Sequence, residues 1–382
     1  MRILFVNHTG AASGAENAMI RLLHALPAEH PRAVACPPDG PLKARLVGLG
    51  FEQHDLPGTD VSFKLHPIET PNALLALLRS ARSLGRTARA FGADLIHANS
   101  TRAGLIAVLA RMFGGPPVVV QCHDHMPRNR TGELVRSVLA RGARGVVGVT
   151  ERTAEEFNRG LARPVARAVY ISIDQQRFSS DTEPAPIRAE LGLPDRAPLL
   201  IQVAQITPWK GQDTAIRALR AAREHADAHL LVVGEVAFAS HRYDNDGFNR
   251  SLIELTEELG VEHAVHFLGQ RSDAPNLMRA ADLFLLPSWD EPFGLVVAEA
   301  MAVGTPVLVT STGGVREYVT DRGNGRLLDP KDPTAWESAV TELLADPDER
   351  ARLGSVSIET ARQFTDDRYA AGMLEVYAAA IR

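Results

Sequence analysis

Short apolar runs alternate with longer segments whose apolar residues recur at helical spacing, and this alternation fills most of the chain. In the first half, the apolar runs predict strands at Ile3–Asn7, Ala33–Cys36, Leu95–Ala98, Val118–Cys122, Val146–Thr150 and Ala168–Ile171. The segments between them predict helices at Ala15–Leu26, Leu42–Gly48, Asn72–Phe91, Thr101–Met112, Glu133–Arg141 and Glu151–Arg159. Apolar strands that alternate with helices are typical of a parallel sheet covered by helices on both faces, so this half predicts a doubly wound α/β domain.

The alternation stops at residues 179–198 and then resumes. Four prolines among charged residues predict a linker here, with a short helix inside it. Further strands are predicted at Leu199–Ala204, Leu230–Val233, His266–Leu268, Leu283–Leu286 and Val307–Val309. A last helix is predicted at about Asp366–Ile381, with no strand after it. We therefore expect an N-terminal domain at 1–178, a linker at 179–198, a C-terminal domain at 199–365 and a final helix at 366–382.

Composition and charge favour two domains with different roles. A chain of 382 residues exceeds one ordinary core, and a content of 45% apolar and 23% charged residues is that of a globular protein. Residues 1–178 carry 22 Lys and Arg against 14 Asp and Glu, whereas the rest of the chain carries 19 against 32. A basic first half suits anionic substrates or a membrane surface.

Several classes of protein are disfavoured. Residues 1–7 pass straight into a strand pattern without the features of a secretory signal, and no run of 18 apolar residues predicts a membrane span. Two cysteines without metal-type spacing suit a reducing compartment, so we expect a cytoplasmic protein. Nucleic-acid binding is not expected, because aromatic residues do not interleave with basic ones and the isoelectric point is about 6.2.

The segment Asn72–Phe91 predicts a basic amphipathic helix. It carries Arg79, Arg82, Arg86 and Arg89 opposite a set of leucines. Such a helix lies either on an anionic membrane, as a peripheral contact at its inner face, or against its own domain. Both interpretations stay open at this stage.

The strongest signal for chemistry is the segment that follows the predicted strand Leu283–Leu286. Pro292 and Gly294 mark a turn into an apolar helix, and ligands of open α/β sheets bind beyond the carboxyl ends of strands. The first N–H groups of a helix have no partner within it, so those of Gly294, Leu295 and Val296 predict a cradle for a diphosphate.

Two carboxylates flank this helix start. Glu291 precedes it, and Glu299 lies in the helix, about 7 Å further along the axis at 1.5 Å per residue. One carboxylate is thereby placed to meet the sugar of a nucleotide sugar while the other accepts hydrogen bonds from the ribose. The alternative is an exposed glutamate that caps a core helix. A carboxylate among apolar residues such as Val297 and Ala298 needs a partner if it is buried.

The Glu-x7-Glu pair of Glu291 and Glu299, with its neighbours, resembles the signature of family 4 glycosyltransferases, the retaining group of the GT-B superfamily. The resemblance covers nearly the whole chain. Its other matches are Ser13-Gly14-Ala15-Glu16, Gln121-Cys122-His123-Asp124, Ser172-Ile173-Asp174 with Phe178, Pro208-Trp209-Lys210-Gly211, and Gly313-Gly314 with Glu317. It implies an α/β GT-B fold, in which two Rossmann-like doubly wound domains face each other across a cleft. The nucleotide-sugar donor would lie in the C-terminal domain, the acceptor on the N-terminal side, and the final helix against the N-terminal domain.

The resemblance implies roles for particular residues. Lys210 would stabilise the leaving diphosphate, Glu291 would hold sugar hydroxyls, Glu299 the ribose, and His123 would contact the sugar or the diphosphate from the other domain. Lys210 is one of only four lysines, although a solvated surface lysine is the alternative interpretation. Gln205 occupies the position where the family usually has an arginine, so either Lys210 and the helix dipole neutralise the diphosphate alone or activity is lower.

The complete set of predicted site residues follows from these roles. Those at the donor are Gly14, Gln205, Lys210, Gly269, Arg271, Glu291, Phe293, Gly294, Leu295, Val296 and Glu299, with Gly269 and Arg271 along the nucleotide base. His123, Glu291 and Lys210 are predicted to act in catalysis. The acceptor would meet Glu16, Asn99, Ser100 and Asp124.

Local alternatives accompany three of these predictions. Glu16 would equally complement the dipole of its own helix, and Asn99 and Ser100 are equally good helix N-caps. His123 and His125 flank Asp124 but lack a third nearby ligand, so a metal site is not expected.

The sequence thus predicts retaining transfer of a sugar from a nucleoside diphosphate sugar, UDP- or GDP-linked, to a hydroxyl of a glycan, glycolipid or small molecule. No cofactor and no metal is expected. Four alternatives stay open: a non-catalytic nucleotide-sugar-binding protein, a relative that forms a C–N link, a phosphorylase and a dehydrogenase. The dehydrogenase is disfavoured because residues 10–14 lack the Gly-x-Gly-x-x-Gly pattern.

Overall fold

The computed structural model describes residues 1–58, 69–236 and 244–382. The chain forms two compact units. Unit 1 comprises Met1–Ser172 together with Phe364–Arg382, and unit 2 comprises Ile173–Gln363. The division at Ser172 lies before the segment predicted as a linker, which belongs to unit 2.

Unit 1 contains a seven-stranded parallel sheet in the order β3-β2-β1-β4-β5-β6-β7. Its strands are β1 (Ile3–Val6), β2 (Arg32–Cys36), β3 (Glu52–Asp55), β4 (Leu95–Ala98), β5 (Val118–Cys122), β6 (Gly145–Gly148) and β7 (Ala166–Ala168). The strand order reverses between β1 and β4. Such a switch point is where open α/β sheets bind ligands, beyond the carboxyl ends of the strands.

In the described residues of unit 1, seven helices accompany this sheet, and helices are numbered along the whole chain. They are α1 (Gly14–Ala25), α2 (Pro41–Gly48), α3 (Glu69–Phe91), α4 (Thr101–Ala110), α5 (Arg130–Gly142), α6 (Glu151–Asn158) and α14 (Asp366–Ile381). The last of these lies far away in sequence and is held by polar contacts. Tyr369 of α14 donates from Oη to Oε1 of Gln121 at 2.9 Å, and the guanidinium of Arg21 is 2.6 Å from the Asp366 carboxylate.

Unit 2 contains a six-stranded parallel sheet in the order β10-β9-β8-β11-β12-β13, with its switch point between β8 and β11. The strands are β8 (Leu199–Val203), β9 (His229–Val233), β10 (Val265–Gly269), β11 (Leu283–Leu286), β12 (Val307–Thr310) and β13 (Arg326–Leu328). The helices are α7 (Ile187–Glu190), α8 (Gln212–Ala222), α9 (Asn245–Glu258), α10 (Ala274–Ala280), α11 (Leu295–Ala302), α12 (Pro333–Ala345) and α13 (Pro347–Ala361).

The prediction of two doubly wound α/β units is confirmed, and the deviations lie at sheet edges. The strand predicted at Ala168–Ile171 is wrong, because the observed β7 occupies Ala166–Ala168. The sequence analysis also missed β3 and β13. An edge strand has a neighbouring strand on one side only and is less buried than a central strand. Strand β3, with the sequence Glu-Gln-His-Asp, therefore needs no apolar run.

The amphipathic helix α3 packs against its own unit. Leu77, Ala81 and Leu84 are buried in the core, while Leu74 and Leu75 are exposed. Within the described ranges of the chain, no helix is long and apolar enough to cross a bilayer.

Candidate functional site

Lys210 and Glu291 form an ion pair at the switch point of the second sheet. Lys210 ends a 3-10 turn, Pro208–Lys210, in the loop after β8, and Glu291 lies in the loop after β11. The Lys210 Nζ is 2.6 Å from Oε2 of Glu291, and the two side chains are only 21% and 11% exposed. Because β8 and β11 are neighbours, the topology brings the two loops together although they are far apart in sequence.

Backbone contacts fasten the lysine loop to the β11 loop. The N–H of Trp289 donates to the carbonyl oxygen of Trp209 at 2.9 Å. Gly211 has φ 71°, and a Cβ there would overlap the carbonyl oxygen of Pro287. Glycine is therefore required directly after the lysine, because the two backbones approach too closely for a side chain. Gln202, near the end of β8, also donates from Nε2 to the carbonyl oxygen of Lys210 at 2.7 Å.

The loop after β12 supports Glu291 in the same manner. The N–H of Gly314 donates to the Glu291 carbonyl oxygen at 2.8 Å. Gly313 has φ 82°, and a Cβ on it would overlap the backbone of Glu291. The Gly313-Gly314 pair, which the sequence resemblance singled out, thus packs against the backbone of Glu291 and supports it.

The start of α11 is shaped by Tyr318. Gly294 is its N-cap, with φ 76°, and no side chain caps the first N–H groups there. The buried Tyr318 Oη lies 2.5 Å from the Phe293 carbonyl oxygen and 3.1 Å from that of Gly294, and donates to this pair. Burial, with the nearby Glu291 charge, raises the pKa of Tyr318 well above its ordinary value, so the hydroxyl stays a donor. The N–H groups of Leu295 and Val296 begin a helix whose dipole favours an anion.

Helix α8 begins in a similar way. Its N-cap is Gly211, which provides no side-chain acceptor for the first N–H groups. Two helix N-termini without side-chain caps therefore follow the two strands of the switch point, and Lys210 directly precedes one of them. Together with the lysine ammonium, the partial positive charges of the two helix starts favour an anion here.

Four buried polar atoms in or next to these two loops have no protein hydrogen-bond partner in the described part of the chain. They are Gln202 Oε1, Thr207 Oγ1, Gln212 Oε1 and Ser288 Oγ. Buried polar atoms are as a rule hydrogen-bonded to protein, ordered water or a ligand. Two of these side chains contact the backbone of the lysine loop through their Nε2 atoms, Gln202 at Lys210 and Gln212 at Gln205, which is compatible with polar groups from outside the protein binding there.

A second polar cluster lies in unit 1, at the carboxyl ends of β1, β4 and β5. His123 Nε2 is 3.0 Å from Asn99 Oδ1, and Asn99 Nδ2 is 3.2 Å from Asn7 Oδ1. Asn7 Nδ2 donates to Glu16 Oε1 at 3.0 Å, and the other oxygen of Glu16 accepts from the N–H of Ser13 at 2.9 Å. Burial lowers the pKa of His123 to about 4, with Glu16 acting in the opposite direction. The imidazole is therefore neutral at pH 7.

The predicted acceptor residues fall partly into this cluster. Glu16 is buried and bound to Asn7 and Ser13, so it does more than complement its helix dipole. Ser100 caps α4, because its Oγ accepts from the N–H of Ala103 at 3.0 Å, and it also contacts Nδ1 of His8 at 2.9 Å. Asp124 is exposed. Among the described residues, no group of three His, Cys, Asp or Glu side chains lies where it would hold a metal ion.

The remaining predicted donor residues have varied surroundings. Arg271 is paired with Glu190 at 2.7 Å and Asp273 at 2.8 Å, and these carboxylates raise the pKa of its guanidinium. Gln205 is exposed, and its carbonyl oxygen accepts from Nε2 of Gln212, the first residue of α8. Gly269 ends β10 with φ 63°.

Two further predicted residues belong to helices. Gly14 is the first residue of α1, and open space surrounds the position of its missing Cβ. Glu299 is half-buried within α11.

The sequence analysis missed Asn7, Gln202 and Tyr318. Asn7 and Gln202 are polar residues at the ends of apolar strands, and this pattern in the sequence could have identified both as candidate site residues. Tyr318 carried no such signal, because its role depends on the approach of the β12 loop to α11.

Both halves of the chain match family models. Residues 185–360 match the model described as "Glycosyl transferases group 1", and residues 13–174 match "Glycosyl transferase 4-like domain". The D-inositol 3-phosphate glycosyltransferase of Salinispora arenicola is 32% identical in an alignment 337 residues long that covers 82% of this chain and 75% of that protein. The D-inositol 3-phosphate glycosyltransferase of Xylanimonas cellulosilytica is 30% identical over 354 residues, covering 87% and 80%.

Solved structures share the fold over the full length. HepE of Anabaena, in a crystal structure with UDP-glucose, has a TM-score of 0.84 at 26% identity and covers 99% of this chain and 100% of its own. Sucrose-phosphate synthase of Thermosynechococcus elongatus has a TM-score of 0.80 at 22% identity, covering 99% and 98%. The predicted GT-B fold class is confirmed. The chain belongs to family 4 of the glycosyltransferases, retaining enzymes that transfer a sugar from a nucleotide sugar.

Proposed function

We propose that unit 2 binds a UDP-sugar, with its diphosphate against Lys210 and the N-termini of α8 and α11. The observation that carries this proposal is the 2.6 Å contact between Lys210 and Glu291 beside two helix N-termini without side-chain caps. Uridine as the base is supported by the likeness to HepE, which was crystallised with UDP-glucose.

Lys210 can donate hydrogen bonds to Glu291 and to the donor diphosphate at the same time. An ammonium group carries three N–H donors, so Lys210 keeps its contact with Glu291 while it donates to a phosphate oxygen. Glu291 retains acceptor sites for hydroxyls of the transferred sugar. As the bond to the sugar breaks, negative charge grows on the diphosphate, and donors that are already in place stabilise it without reorganisation.

We assign the other donor residues by position. The N–H groups of Gly294, Leu295 and Val296, beside the buried Phe293, would face the phosphates, and Glu299 the ribose. The base would lie along the backbone at Gly269. Arg271 would border it as a structural residue, since its charge is already matched by Glu190 and Asp273.

Gln205 brings no charge to this arrangement. Under this proposal the positive end of the site consists of Lys210 and the two helix N-termini, and this charge suffices without a metal ion. Activity is therefore expected to survive exhaustive treatment with EDTA. A loss of activity that added Mg²⁺ or Mn²⁺ restores would contradict metal independence.

The acceptor would be a hydroxyl compound, and His123 would act in catalysis. D-inositol 3-phosphate is the first acceptor to test, because the relatives that match over three quarters or more of their length are named for it. Gly14, with open space beside it, would allow a ligand to approach the α1 backbone closely. Of the other predicted acceptor residues, Ser100 and Asp124 would face the acceptor, whereas Glu16 and Asn99 would act through His123.

The test is a transfer assay with UDP-sugars and D-inositol 3-phosphate, read by release of UDP. The proposal expects a turnover that depends on both substrates and falls on replacing Glu291 or Lys210. Saturable binding of UDP with no turnover for any acceptor would indicate a binding protein instead. Turnover that requires free inorganic phosphate, with no affinity for UDP, would indicate a phosphorylase.

A further inference from the structure

The positive charge of unit 1 is concentrated in one continuous segment of the chain. Residues 72–144 carry 11 arginines against three acidic residues, a surplus that equals the one carried by residues 1–178 as a whole. Nine of these arginines are exposed. In residues 1–58, five basic and five acidic residues balance, and residues 364–382 carry two basic against three acidic residues. The surplus therefore belongs to the part of unit 1 that contains α3, α4 and α5.

The fold places this basic segment on one side of the first sheet. Leu77 of α3 and Leu139 of α5 share one buried cluster with Ile96 of β4, and α4 lies between the two helices. Because side chains alternate along a strand, the next residue of β4, His97, points to the opposite side, where its Nδ1 is 2.8 Å from Tyr377 Oη of α14. The sheet thus separates a strongly basic layer of helices from a layer whose charges nearly balance.

A 3-10 turn, Arg111–Phe113, joins the ends of α3 and α5. Arg89 of α3 donates from Nη1 to the Phe113 carbonyl oxygen, and Arg111 donates from Nη1 to the carbonyl oxygen of Gly142 at 2.6 Å. Carbonyl partners leave both guanidinium groups with their full charge. The outer surface that carries Arg79, Arg82, Arg86, Arg89, Arg111 and Arg141 is called the α3–α5 face below.

Exposed aliphatic side chains lie in the same layer of helices. Met112 of the 3-10 turn is 76% exposed and Leu134 of α5 is 64% exposed, the two highest values among the large apolar side chains of the described residues. Leu74 and Leu75 of α3 are exposed as well, whereas Leu77 of the same helix is buried in the core. Helix α3 therefore presents to solvent its arginines and first leucines, and not the apolar stripe that its sequence pattern predicts.

From these observations we infer that the α3–α5 face docks on an anionic membrane surface, with its arginines among the lipid headgroups and Met112 and Leu134 in the interface. The negative surface potential of an anionic leaflet attracts each arginine near it, and these attractions add. Aliphatic groups between the arginines bury apolar area in the interfacial region. The inference concerns the surface on which the enzyme works and is independent of the donor proposed for unit 2.

The chemistry of the face favours lipid over nucleic acid. Phe91 and Phe113 are the only aromatic residues of the segment 72–144, and they are buried and half-buried. Single-stranded nucleic acids bind with their bases stacked on exposed aromatic side chains, which this face does not offer. Aliphatic groups such as Met112 gain nothing from a phosphate backbone, whereas a lipid interface stabilises them.

Sedimentation of the full chain with lipid vesicles tests the inference. We expect binding to vesicles of phosphatidylcholine and phosphatidylglycerol at about 0.1 M NaCl, and little binding to phosphatidylcholine alone. Most of the binding should be lost at about 1 M NaCl, where the Debye length is only about 3 Å. Absence of binding to the anionic vesicles, or equal binding to both kinds, would overturn the inference. Tighter binding of a single-stranded RNA than of the anionic vesicles would assign the face to nucleic acid instead.

Reversal of one charge locates the contact. Arg86→Glu, at an exposed position of α3, should weaken binding to the anionic vesicles about tenfold or more. Arg250→Glu is the matched control, because it makes the same change in net charge at an exposed position of α9 in unit 2 and should change vesicle binding less than about twofold. Wild-type midpoints of thermal unfolding show that both variants are folded. Equal weakening by both would mean that net charge alone drives binding, and would contradict docking through this face.

A second pair of variants tests the aliphatic contribution. Met112→Ser should weaken binding to the anionic vesicles about fivefold, because the side chain loses apolar area that the interface buries. Val47→Ser is its control, since Val47 is 62% exposed on α2, outside the α3–α5 face, and should leave binding unchanged. The same affinity for Met112→Ser and Val47→Ser would overturn the placement of Met112 in the interface.

Discussion

Gly313 lies so close to the backbone of Glu291 that a single methyl group does not fit between them. Its φ of 82° adds a second reason for glycine at this position. This contact joins the loop after β12 to the loop after β11, which holds the Glu291 backbone in place. The catalytic carboxylate that we propose is therefore positioned by a neighbouring strand's loop as much as by its own.

Gly313→Ala should lower both stability and activity. The methyl group forces the loop away from Glu291, and we expect a loss of about 3 kcal/mol or more in the free energy of unfolding. Gly260→Ala is the matched control, because Gly260 has φ 65° with open space around it and tests the cost of the backbone conformation alone, about 1 kcal/mol. Urea denaturation of both variants measures the difference. Equal losses would show that the contact with Glu291 is unimportant.

Glu291→Gln should separate donor binding from turnover. The neutral amide releases Lys210 from its ion pair, so affinity for UDP is expected to stay the same or increase. The sugar, in contrast, loses an ionised acceptor, and kcat should fall about 100-fold. Glu257→Gln, at an exposed position of α9, provides the control for charge. A parallel loss of UDP affinity and kcat would indicate that Glu291 only maintains the loop.

Tyr318→Phe removes the hydroxyl that is within hydrogen-bonding distance of the Phe293 and Gly294 carbonyl oxygens. The Phe293 oxygen would lose this donor, whereas that of Gly294 keeps the N–H groups of Val297 and Ala298, and the free energy of unfolding should fall by about 1 to 3 kcal/mol. The start of α11 should loosen with it, so UDP binding measured by calorimetry should weaken. A variant with wild-type stability and affinity would show that the turn holds its shape without Tyr318.

The stability of unit 1 should fall with acidification. Burial lowers the pKa of His8 and of His123 to about 4 and that of His97 to about 3, below the ordinary value of 6.5. Between pH 6.5 and about 4 the unfolded chain binds protons that the folded unit does not, so stability decreases as the pH falls through this window. Each histidine contributes at most about 1.4 kcal/mol per pH unit.

Hydrogen exchange of unit 1 amides between pH 7 and 4.5 measures this dependence. His123→Gln lacks one of the three titrating groups, so its stability should depend less steeply on pH than that of the wild type. Unit 1 stability that is constant or increases toward pH 4.5 would contradict the assignment.

Most of the fold could be predicted from the sequence, whereas the roles of the site residues stay predictions. The apolar runs predict both sheets because central parallel strands are buried on both faces, whereas β3 and β7 at a sheet edge consist of polar and small residues. Lys210 and Glu291 were each predicted, but their contact depends on β8 and β11 being neighbours, which no local pattern states. The contact of Tyr318 with the start of α11 arises only when the loop after β12 packs against that helix in the folded protein.

The cluster around His123 shows the same limit. Glu16 and Asn99 each read as capping residues, because their sequence neighbours are helix starts. Their connection to His123 forms only when β1, β4 and β5 lie side by side in the sheet. Asn7, which connects them, follows an apolar strand and could have been chosen from the sequence on that ground.

The central claim is that Lys210 and the two helix N-termini hold the donor diphosphate. Calorimetric titration of UDP and UMP into the wild type, Lys210→Ala and the exposed-lysine control Lys331→Ala tests it most directly. The account predicts that UDP binds more tightly than UMP, that Lys210→Ala weakens UDP about tenfold or more while changing UMP less, and that Lys331→Ala changes neither. Equal affinities for UDP and UMP in the wild type, or an unchanged UDP affinity in Lys210→Ala, would contradict it.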